Sequence, residues 1–398
     1  MSHTFSRWHD AVDALKSPDL RQALYDAGDR VMRDALITLH GDAHRQRRIV
    51  EMGVFGRGFF RAYLKDVFTP RLAGLMTPDL QAGRTEIIDL GMRLSMHLTA
   101  DFAGIDRDPG KPDDTSVLLE LVKVFSEGAT LVHSTRDHAV VNAEVDAAMA
   151  EFEQRFFRPS LKRRLGLIAA FEAGTLERSV LPRDVLTTLL LAQHKLSLSD
   201  EVLRREMSFY LQAGAHSTTN SAAHAFHETI TWAGDDPERL SRLTDPAFVQ
   251  RCVHESLRLH PASPVASRRA VAAAEVGRCP VAEGELVEVR LAEANLDPDV
   301  FGANAGEFDP DRQLPVGVRP WGLSFGYGMH ACLGRDLDGG IVGTEGEDEP
   351  HFGTVPLFVH ALFSAGARPD PENPPVIDTR TLRRNWGRYP VRFHRRPS

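Results

Sequence analysis

Hydrophobic residues recur at the three- and four-residue spacing of amphipathic helices through most of the chain, and this pattern predicts a mainly helical protein. The clearest stretches are 84–106, 114–135 and 353–365. A further stretch, 140–168, is predicted to form two helices divided near Pro159, because proline breaks a helix interior.

Turn residues predict where several elements begin. Ser17-Pro18-Asp19, Pro182-Arg183-Asp184 and Asp235-Asp236-Pro237 each precede apolar residues at helical spacing, which predicts three helix starts. After Pro264 the apolar residues alternate instead, and this predicts short strands with Glu283-Gly284-Glu285 as a hairpin turn. Small β-sheets are therefore expected beside the helices.

One predicted helix is unusually long. It begins at the capping residue Ser199 and runs to about Trp232 without a proline. Gly214 lies near its centre, where glycine costs about 1 kcal/mol relative to alanine. A flat ligand that touches the helix backbone would explain such a glycine.

The candidate chemistry is concentrated in residues 324–335, a glycine-rich loop that presents Cys332 and then enters a helix. Glycines allow positive φ and close packing against a flat surface. The N-terminus of a helix favours the thiolate form of cysteine. Because no second Cys or His stands at the spacing of a metal cage, this thiolate suits a single axial bond to a haem iron.

The same loop resembles the haem-binding loop of cytochromes P450, whose pattern is Phe-x-x-Gly-x-x-x-Cys-x-Gly, often with a His two residues before the Cys. Every position is present, as Phe325, Gly328, His330, Cys332 and Gly334. The resemblance implies a mainly α fold, the cytochrome P450 fold with small β-sheets, as a single domain.

That implied domain covers residues 1–398 and holds haem b between the long central helix and the Cys loop. The resemblance makes Cys332 the iron ligand. The loop residues that it places in contact with the cofactor are Phe325, Gly326, His330 and Gly334. The family has a longer region before its next motif, so part of the N-terminal region is expected to be short or missing.

The resemblance also assigns four cations to the haem propionates. His44 and Arg48 are four residues apart and share a helix face. Arg268 occupies the position of a second propionate-binding arginine, with Arg269 as the alternative, and His330 completes the group.

A second motif resembles the Glu-x-x-Arg helix of the family. Glu255 and Arg258 are three apart in an apolar helix. Their implied third partner is an arginine ahead of the Cys loop, either Arg312 or Arg319.

The central helix matches the family pattern Ala-Gly-x-acid-Thr only in part. Ala213 and Gly214 fit as cofactor contacts, whereas His216 replaces the acid and Ser217 replaces the Thr. Three interpretations stay open: His216 and Ser217 form a working proton relay, a weakened relay is bypassed with peroxide or another oxidant, or the iron catalyses a rearrangement, dehydration or nitrogen transfer.

The same helix flank carries His216, Asn220, His224 and His227. A second metal site is conceivable there, but no carboxylate or Cys completes it. We therefore interpret this flank as a polar helix face.

Composition narrows the class of protein. A 42% hydrophobic chain of 398 residues can bury a large core, and a net charge of −8 argues against nucleic acid and anionic lipid as partners. Three cysteines are too few for a disulfide framework, which indicates a reducing compartment. The sequence shows no signal peptide and no membrane span, so a cytoplasmic protein is expected.

The resemblance thus implies a haem-thiolate monooxygenase that oxidises a small, largely apolar molecule in specialised metabolism, with electrons from a ferredoxin and ferredoxin reductase. The alternatives are a P450-like peroxygenase, a redox-neutral haem isomerase or transferase, and a haem protein without catalysis. The glycine-rich, acidic stretch 338–350 replaces the usual helix after the Cys loop. That helix is expected to stop early, and its acidic residues are expected to repel an acidic ferredoxin.

Overall fold

The structure is a computed structural model that describes residues 2–108, 110–111, 113–341 and 351–394. Helices form most of it, as the hydrophobic pattern predicts. In chain order they are Trp8–Lys16 (α1), Asp29–Met32 (α2), Gly41–Glu51 (α3), Arg57–Tyr63 (α4), Thr69–Ala82 (α5), Ile87–Ala103 (α6), Asp114–Ala129 (α7), His138–Phe152 (α8), Arg158–Glu172 (α9), Val185–Leu191 (α10), Gln193–Leu196 (α11), Asp200–Ala233 (α12), Pro237–Arg242 (α13), Pro246–Leu259 (α14), Leu291–Ala294 (α15), Pro298–Phe301 (α16), Arg335–Asp338 (α17) and Thr354–Ser364 (α18).

Short strands form small sheets at the edges of the helical body. The strands are Ser2–Phe5 (β1), Leu20–Gln22 (β2), Arg84–Glu86 (β3), Ala266–Ala270 (β4), Ala274–Val276 (β5), Cys279–Val281 (β6), Leu286–Val289 (β7), Ala367–Pro369 (β8), Val376–Ile377 (β9), Trp386–Arg388 (β10) and Pro390–Phe393 (β11). The largest sheet has the order β1-β7-β4-β2, in which β1 and β7 are parallel and the other pairs are antiparallel. A second sheet has the order β3-β11-β8, and β5–β6 and β9–β10 form two-stranded pairs.

The long helix α12 lies in the main hydrophobic core, and its bounds agree with the sequence prediction. The Ser199 side chain caps it by accepting a hydrogen bond from the Val202 N–H. Helix α6 packs along it closely, since a Cβ on Gly91 would lie 2.8 Å from Thr219 Cγ2. A second, smaller core lies between the β1-β7-β4-β2 sheet and α1.

The predicted helix start at Ser17-Pro18-Asp19 is wrong. Helix α1 ends at Lys16, and the chain continues as strand β2, in which Leu20 pairs with Ala270 of β4. Leu20 is buried in the smaller core. Sheet pairing with a distant strand therefore overrides the local helical pattern.

The predicted hairpin turn at Glu283-Gly284-Glu285 is also wrong. It connects β6 to β7, but β6 pairs with β5 and β7 pairs with β4. The hairpin turn of this region connects β5 and β6, at Gly277 and Arg278, which have φ of 53° and 68°.

The break between α8 and α9 comes before Pro159. The five residues Glu153–Phe157 form a π-helical turn, and Pro159 lies in the first turn of α9. Proline is tolerated there because the first N–H groups of a helix have no intrahelical acceptor.

The helix after Cys332 stops early, as expected. Helix α17 ends at Asp338, and Gly340 follows with φ of 78°. A Cβ on Gly340 would lie 2.3 Å from Gln250 Oε1, so only glycine fits. The acidic residues that follow fall within 342–350, outside the described residues.

Candidate active site

The Cys332 loop folds back on itself ahead of α17. The Cys332 N–H donates to the Phe325 carbonyl at 2.8 Å. Gly326 and Gly328 have φ of 66° and 67°, as their type predicts. A Cβ on Gly328 would lie 2.6 Å from the Leu15 carbonyl oxygen, so this glycine packs against the end of α1 and not against a flat ligand.

Gly334 lies beside the sulfur, and Phe325 packs within the loop. A Cβ on Gly334 would lie 3.9 Å from Cys332 Sγ. The Phe325 ring packs edge-on against Trp321, with centroids 5.5 Å apart. These side chains fix the loop that presents the thiol.

The Cys332 thiol borders an internal space. Cys332 is exposed, yet burial raises the pKa of its thiol to about 11, and the Asp338 carboxylate adds to this effect. A hydrogen bond from the Gly334 N–H and the cations Arg48 and Arg335 lower the pKa of the thiol in part. A four-residue helix adds little macrodipole, so the expected preference for a thiolate does not hold in the protein alone and needs a cation at the sulfur.

The predicted propionate ligands lie together beside this loop. The rings of His44 and His330 are 4.4 Å apart, and Arg48 Nη2 donates to the Ala331 carbonyl at 2.5 Å. Burial is the main cause that lowers the His330 pKa to about 3, and Arg268, His44 and Arg48 contribute further. Four separately predicted side chains thus form one group of cations and imidazoles.

Strand register places Arg268 in this group. Gln22 of β2 pairs with Arg268 of β4, and Gln22 Oε1 accepts from Arg268 Nη1 at 2.9 Å. Burial lowers the Arg268 pKa to about 10. The alternative, Arg269, donates to the Gly284 carbonyl and lies 3.7 Å from Asp26, so Arg269 is directed elsewhere.

One face of α12 is accessible in the middle of an otherwise buried helix. Ala213 is exposed and Ser217, four residues later, is partly exposed. Ser217 Oγ donates to the Ala213 carbonyl at 2.6 Å, a bond that serine often makes in helices. Thr218 Oγ1 donates to Asp338 Oδ1 at 2.7 Å, which ties this part of α12 to the helix after Cys332.

Helix packing explains Gly214. A Cβ on Gly214 would lie 2.7 Å from Thr99 Cγ2 of α6. The interpretation that a flat ligand requires this glycine is therefore not needed. Ala213, its neighbour, is the residue of the pair that lies on the accessible face.

His216 is neutral near pH 7. Burial is the largest cause that lowers its pKa to about 4, and Arg383 and Lys123 lower it further. Its Nε2 is buried without a hydrogen-bond partner among the described residues. A histidine with its ordinary pKa near 6.5, as the relay interpretation assumes, is not what this environment produces.

The other polar residues of this flank have partners elsewhere. Asn220 Oδ1 accepts from the Trp386 N–H, His224 Nε2 lies 2.9 Å from the Arg384 carbonyl, and His227 Nδ1 lies 2.9 Å from the Tyr389 hydroxyl. They attach the C-terminal segment to α12, as expected for a polar helix face.

The Glu255 motif forms a buried ion-pair group, and Arg312 is its third member. Arg258 Nη2 and Nε donate to the two oxygens of Glu255 at 2.6 and 2.8 Å, and Arg312 Nε donates to Glu255 Oε1 at 3.0 Å. Arg258 Nη1 also donates to the carbonyls of Asn295 and Ala305, both at 2.7 Å. The group holds the chain ahead of the Cys loop against α14.

Several known proteins are similar to this chain. The family model "Cytochrome P450" matches residues 228–337, which include the Glu255 motif and Cys332. Pulcherriminic acid synthase of Bacillus subtilis (strain 168) is 24% identical over 349 residues, covering 84% of this chain and 78% of that protein. Cytochrome P450-terp of Pseudomonas sp is 28% identical over 259 residues, covering 63% of this chain and 53% of that protein.

Solved structures agree over nearly the whole chain. CalO2 superposes with a TM-score of 0.74 at 20% identity, covering 98% of this chain and 90% of that one. P450BioI, solved in complex with hexadec-9Z-enoic acid ligated acyl carrier protein, gives a TM-score of 0.76 at 18% identity, covering 98% and 92%. The chain is similar to the cytochrome P450 family. It is an oxidoreductase of the monooxygenase type and has the cytochrome P450 fold.

The residues of this chain fit the haem-iron cofactor that the cytochrome P450 family uses. His44 Nε2 and both ring nitrogens of His330 are buried without hydrogen-bond partners among the described residues. Two propionates would accept hydrogen bonds from the N–H groups of these imidazoles and would supply counterions for Arg48 and Arg268. When bound, haem supplies the iron at which oxygen chemistry takes place.

Several residues beside this space escaped the sequence analysis. Tyr25 is half-buried and lies near Arg268, Arg383 and Cys332, all three of which influence its raised pKa. His133 lies near Arg383 as well. No spacing or motif distinguishes these residues, because chain segments far apart in sequence bring them together.

Within the described residues, no helix is long and apolar enough to cross a membrane.

Proposed function

We propose that this cytochrome P450 binds haem b and inserts one oxygen atom of O2 into a small, largely apolar molecule. Electrons come from NAD(P)H through a ferredoxin and a ferredoxin reductase. The observation that carries the proposal is the accessible Cys332 thiol, together with the accessible face of α12 and a neighbouring group of Arg48, Arg268, His44 and His330. In that group, His44 Nε2 and both ring nitrogens of His330 are buried without hydrogen-bond partners among the described residues.

In this proposal each site residue has a role. Cys332 ligates the iron, and the positive iron offsets the burial that otherwise keeps the thiol protonated. His44, Arg48, Arg268 and His330 hold the propionates. Ala213, Gly214, Phe325, Gly326 and Gly334 shape the cavity around the ring, Gly214 through its contact with α6.

A place in specialised metabolism is supported by proteins of the same fold. One is a post-tailoring hydroxylase, HmtN, involved in himastatin biosynthesis, at a TM-score of 0.69 and 19% identity. Another belongs to unusual cytochrome P450-like monooxygenases of microbial secondary metabolism, at a TM-score of 0.71 and 17% identity. These similarities support the class of pathway and not a substrate.

Ser217 is the proposed proton-handling residue. Its hydroxyl lies on the accessible face of α12 and would hold or pass a proton there, towards the site that Cys332 borders. His216, neutral near pH 7, contributes as a hydrogen-bond partner and not as an imidazolium acid.

A second candidate function is a peroxide-driven or redox-neutral reaction. Two observations favour it: no carboxylate stands at the acid position, and the Ser217 hydroxyl bonds back to Ala213. A chain that uses peroxide directly would need less proton delivery from the helix.

Reduction of the holoprotein under carbon monoxide distinguishes the two candidates without a known substrate. NADPH, a [2Fe–2S] ferredoxin and its reductase should convert the ferric protein to the ferrous–CO form. Reduction by dithionite alone, combined with dye oxidation by hydrogen peroxide, would favour the second candidate.

The acidic stretch gives a matched variant for the same assay. Replacing Glu345, Glu347, Asp348 and Glu349 with serine should raise the rate of reduction by an acidic ferredoxin at low salt about threefold. The difference should disappear at high salt. Equal rates for both proteins at low salt would contradict the proposed repulsion.

A further inference from the structure

We propose that Arg383, with His133 and His216, forms an anion-binding subsite beside the haem space, and that the substrate is a carboxylate whose acid group this subsite holds. The inference rests on the proposed function, since it assigns the substrate class of that site. It changes the expected substrate from a simply apolar molecule to one with an anionic end.

Backbone hydrogen bonds fix where Arg383 lies. The Leu382 N–H donates to the His133 carbonyl at 3.1 Å, and Thr381 pairs with Ser134 in an isolated bridge. Three residues beyond Arg383, the Trp386 N–H donates to Asn220 Oδ1 of α12 at 2.9 Å. Arg383 therefore sits between the segment after α7 and the central helix.

Asn220 connects this position to His216. The Asn220 side chain donates to the His216 carbonyl at 3.3 Å, one helical turn back. The Arg383 guanidinium is close enough to lower the pKa of both His133 and His216, each to about 4, although burial is the larger cause. The two imidazoles and the guanidinium thus share one neighbourhood.

These three side chains present nitrogens without partners. Arg383 Nε, His133 Nε2 and His216 Nε2 are each buried, and no described residue forms a hydrogen bond with them. Buried polar nitrogens in folded proteins almost always have partners, so three together indicate a missing ligand. A carboxylate accepts hydrogen bonds from a guanidinium and from neutral imidazoles alike.

Arg383 also has no counterion among the described residues. Burial lowers its pKa, and the one ionisable group that opposes this effect is the Tyr25 phenol. Among the described ranges, no carboxylate forms an ion pair with it, whereas its neighbour Arg380 pairs with Asp378 at 3.1 Å. A half-buried guanidinium without an anion is costly, and a bound carboxylate would compensate that cost.

His216 places one side of the subsite on α12. His216 directly precedes Ser217, which is on the accessible face of α12. Tyr25 lies within electrostatic reach of Arg268, Arg383 and Cys332. Two haem carboxylates already meet four donors at His44, Arg48, Arg268 and His330, so Arg383 remains available for a substrate.

Iron-anchored ligands test the subsite without a known substrate. We would titrate the haem-loaded protein with ω-(imidazol-1-yl)alkanoic acids, from butanoic to decanoic, and with the matched ω-(imidazol-1-yl)alkanols. The imidazole binds the iron and shifts the Soret band, which reports binding, while the chain length sets how far the acid reaches. At one chain length the acid should bind about tenfold or more tightly than its alcohol.

Two substitutions test whether Arg383 causes the tighter binding of the acid. Arg383→Gln should reduce the acid-to-alcohol ratio to near one, and Arg383→Lys should keep part of it. Arg384→Gln, at the exposed neighbouring position, is the control and should keep the full ratio.

The failures are distinguishable. Acids and alcohols that bind equally at every length in the wild-type protein would overturn the subsite, as would a preference that survives Arg383→Gln. Loss of haem from the Arg383→Gln protein would assign Arg383 to a propionate and also overturn it. Failure of the proposed function would instead appear as a missing thiolate–CO band in the wild-type protein.

Discussion

At the scale of single residues, the burial of each site side chain determines its pKa. Burial raises the pKa of the Cys332 thiol to about 11 and lowers that of His216 to about 4. Both shifts oppose the charged form, as expected for desolvation. The residue types at the site therefore do not by themselves give its protonation state.

Ser217 and His216 make different predictions. Ser217→Ala should lower the rate of dye oxidation driven by O2, NADPH, ferredoxin and ferredoxin reductase about tenfold, because it removes the hydroxyl on the accessible face. His216→Asn should change the same rate less than about threefold near pH 7, since its imidazole is already neutral. The reverse order of effects would mean that His216 is the proton-handling residue.

Site residues that stand at a fixed spacing within a sequence motif could be predicted from the sequence. Site residues outside any motif could not. Cys332 and Glu255 stand in dense local motifs, and the four proposed propionate ligands follow from the resemblance. Arg383 and Tyr25 could not be found, because they reach the site only through strand bridges and loop crossings between distant segments.

At the scale of elements, glycines set how closely α12 approaches α6. Gly214 and Gly91 each leave room for a threonine of the facing helix. The bounds of α12 followed from its cap and the absence of proline, which are local signals. The strand Leu20–Gln22 could not be predicted from local signals, because its partner β4 lies some 250 residues away.

A double substitution separates packing from cofactor contact at Gly214. Gly214→Ala alone should lower the free energy of unfolding by about 1 kcal/mol, because overpacking against Thr99 outweighs the gain in helix propensity. In a Thr99→Ser background, which lacks the crowding methyl, the same substitution should raise stability by up to about 1 kcal/mol. Urea unfolding measures both. A penalty that stays unchanged with Thr99→Ser would place Gly214 against the cofactor.

The ion-pair group of α14 predicts a strong effect from one arginine. Arg312→Gln should lower the free energy of unfolding by about 3 kcal/mol, because it leaves Glu255 partly unpaired in the core. The control Arg45→Gln breaks an exposed pair with Asp42 and should cost less than about 1 kcal/mol. Similar small losses for both variants would show that Arg312 does not hold the segment before the Cys loop.

At the scale of the whole molecule, buried histidines make stability depend on pH. His254 of α14 is buried with Nε2 2.6 Å from the Gly339 carbonyl, and burial is the main cause that lowers its pKa to about 4. Histidine in an unfolded chain titrates near pH 6.5. Between these values the unfolded state binds a proton that the folded state does not, so stability is lost as pH falls below about 6.5.

The free energy of unfolding therefore has a slope against pH. His254→Gln should reduce that slope by up to about 1.4 kcal/mol per pH unit between pH 6.5 and 5. Urea unfolding of the holoprotein at a series of pH values measures it. His138→Gln, at an exposed position on α8, is the control and should leave the slope unchanged. A slope that is the same in the His254 variant would mean that this imidazole is protonated in the folded protein.

The ligation of haem iron by Cys332 is the central claim, and the absorption spectrum of the ferrous protein with carbon monoxide tests it most directly. The wild-type holoprotein should show the strongly red-shifted Soret band of a thiolate–CO complex, and Cys332→Ser should lose that band while other haem absorption remains. A wild-type protein that holds haem but lacks the band would mean that another group, or a protonated thiol, occupies the axial position.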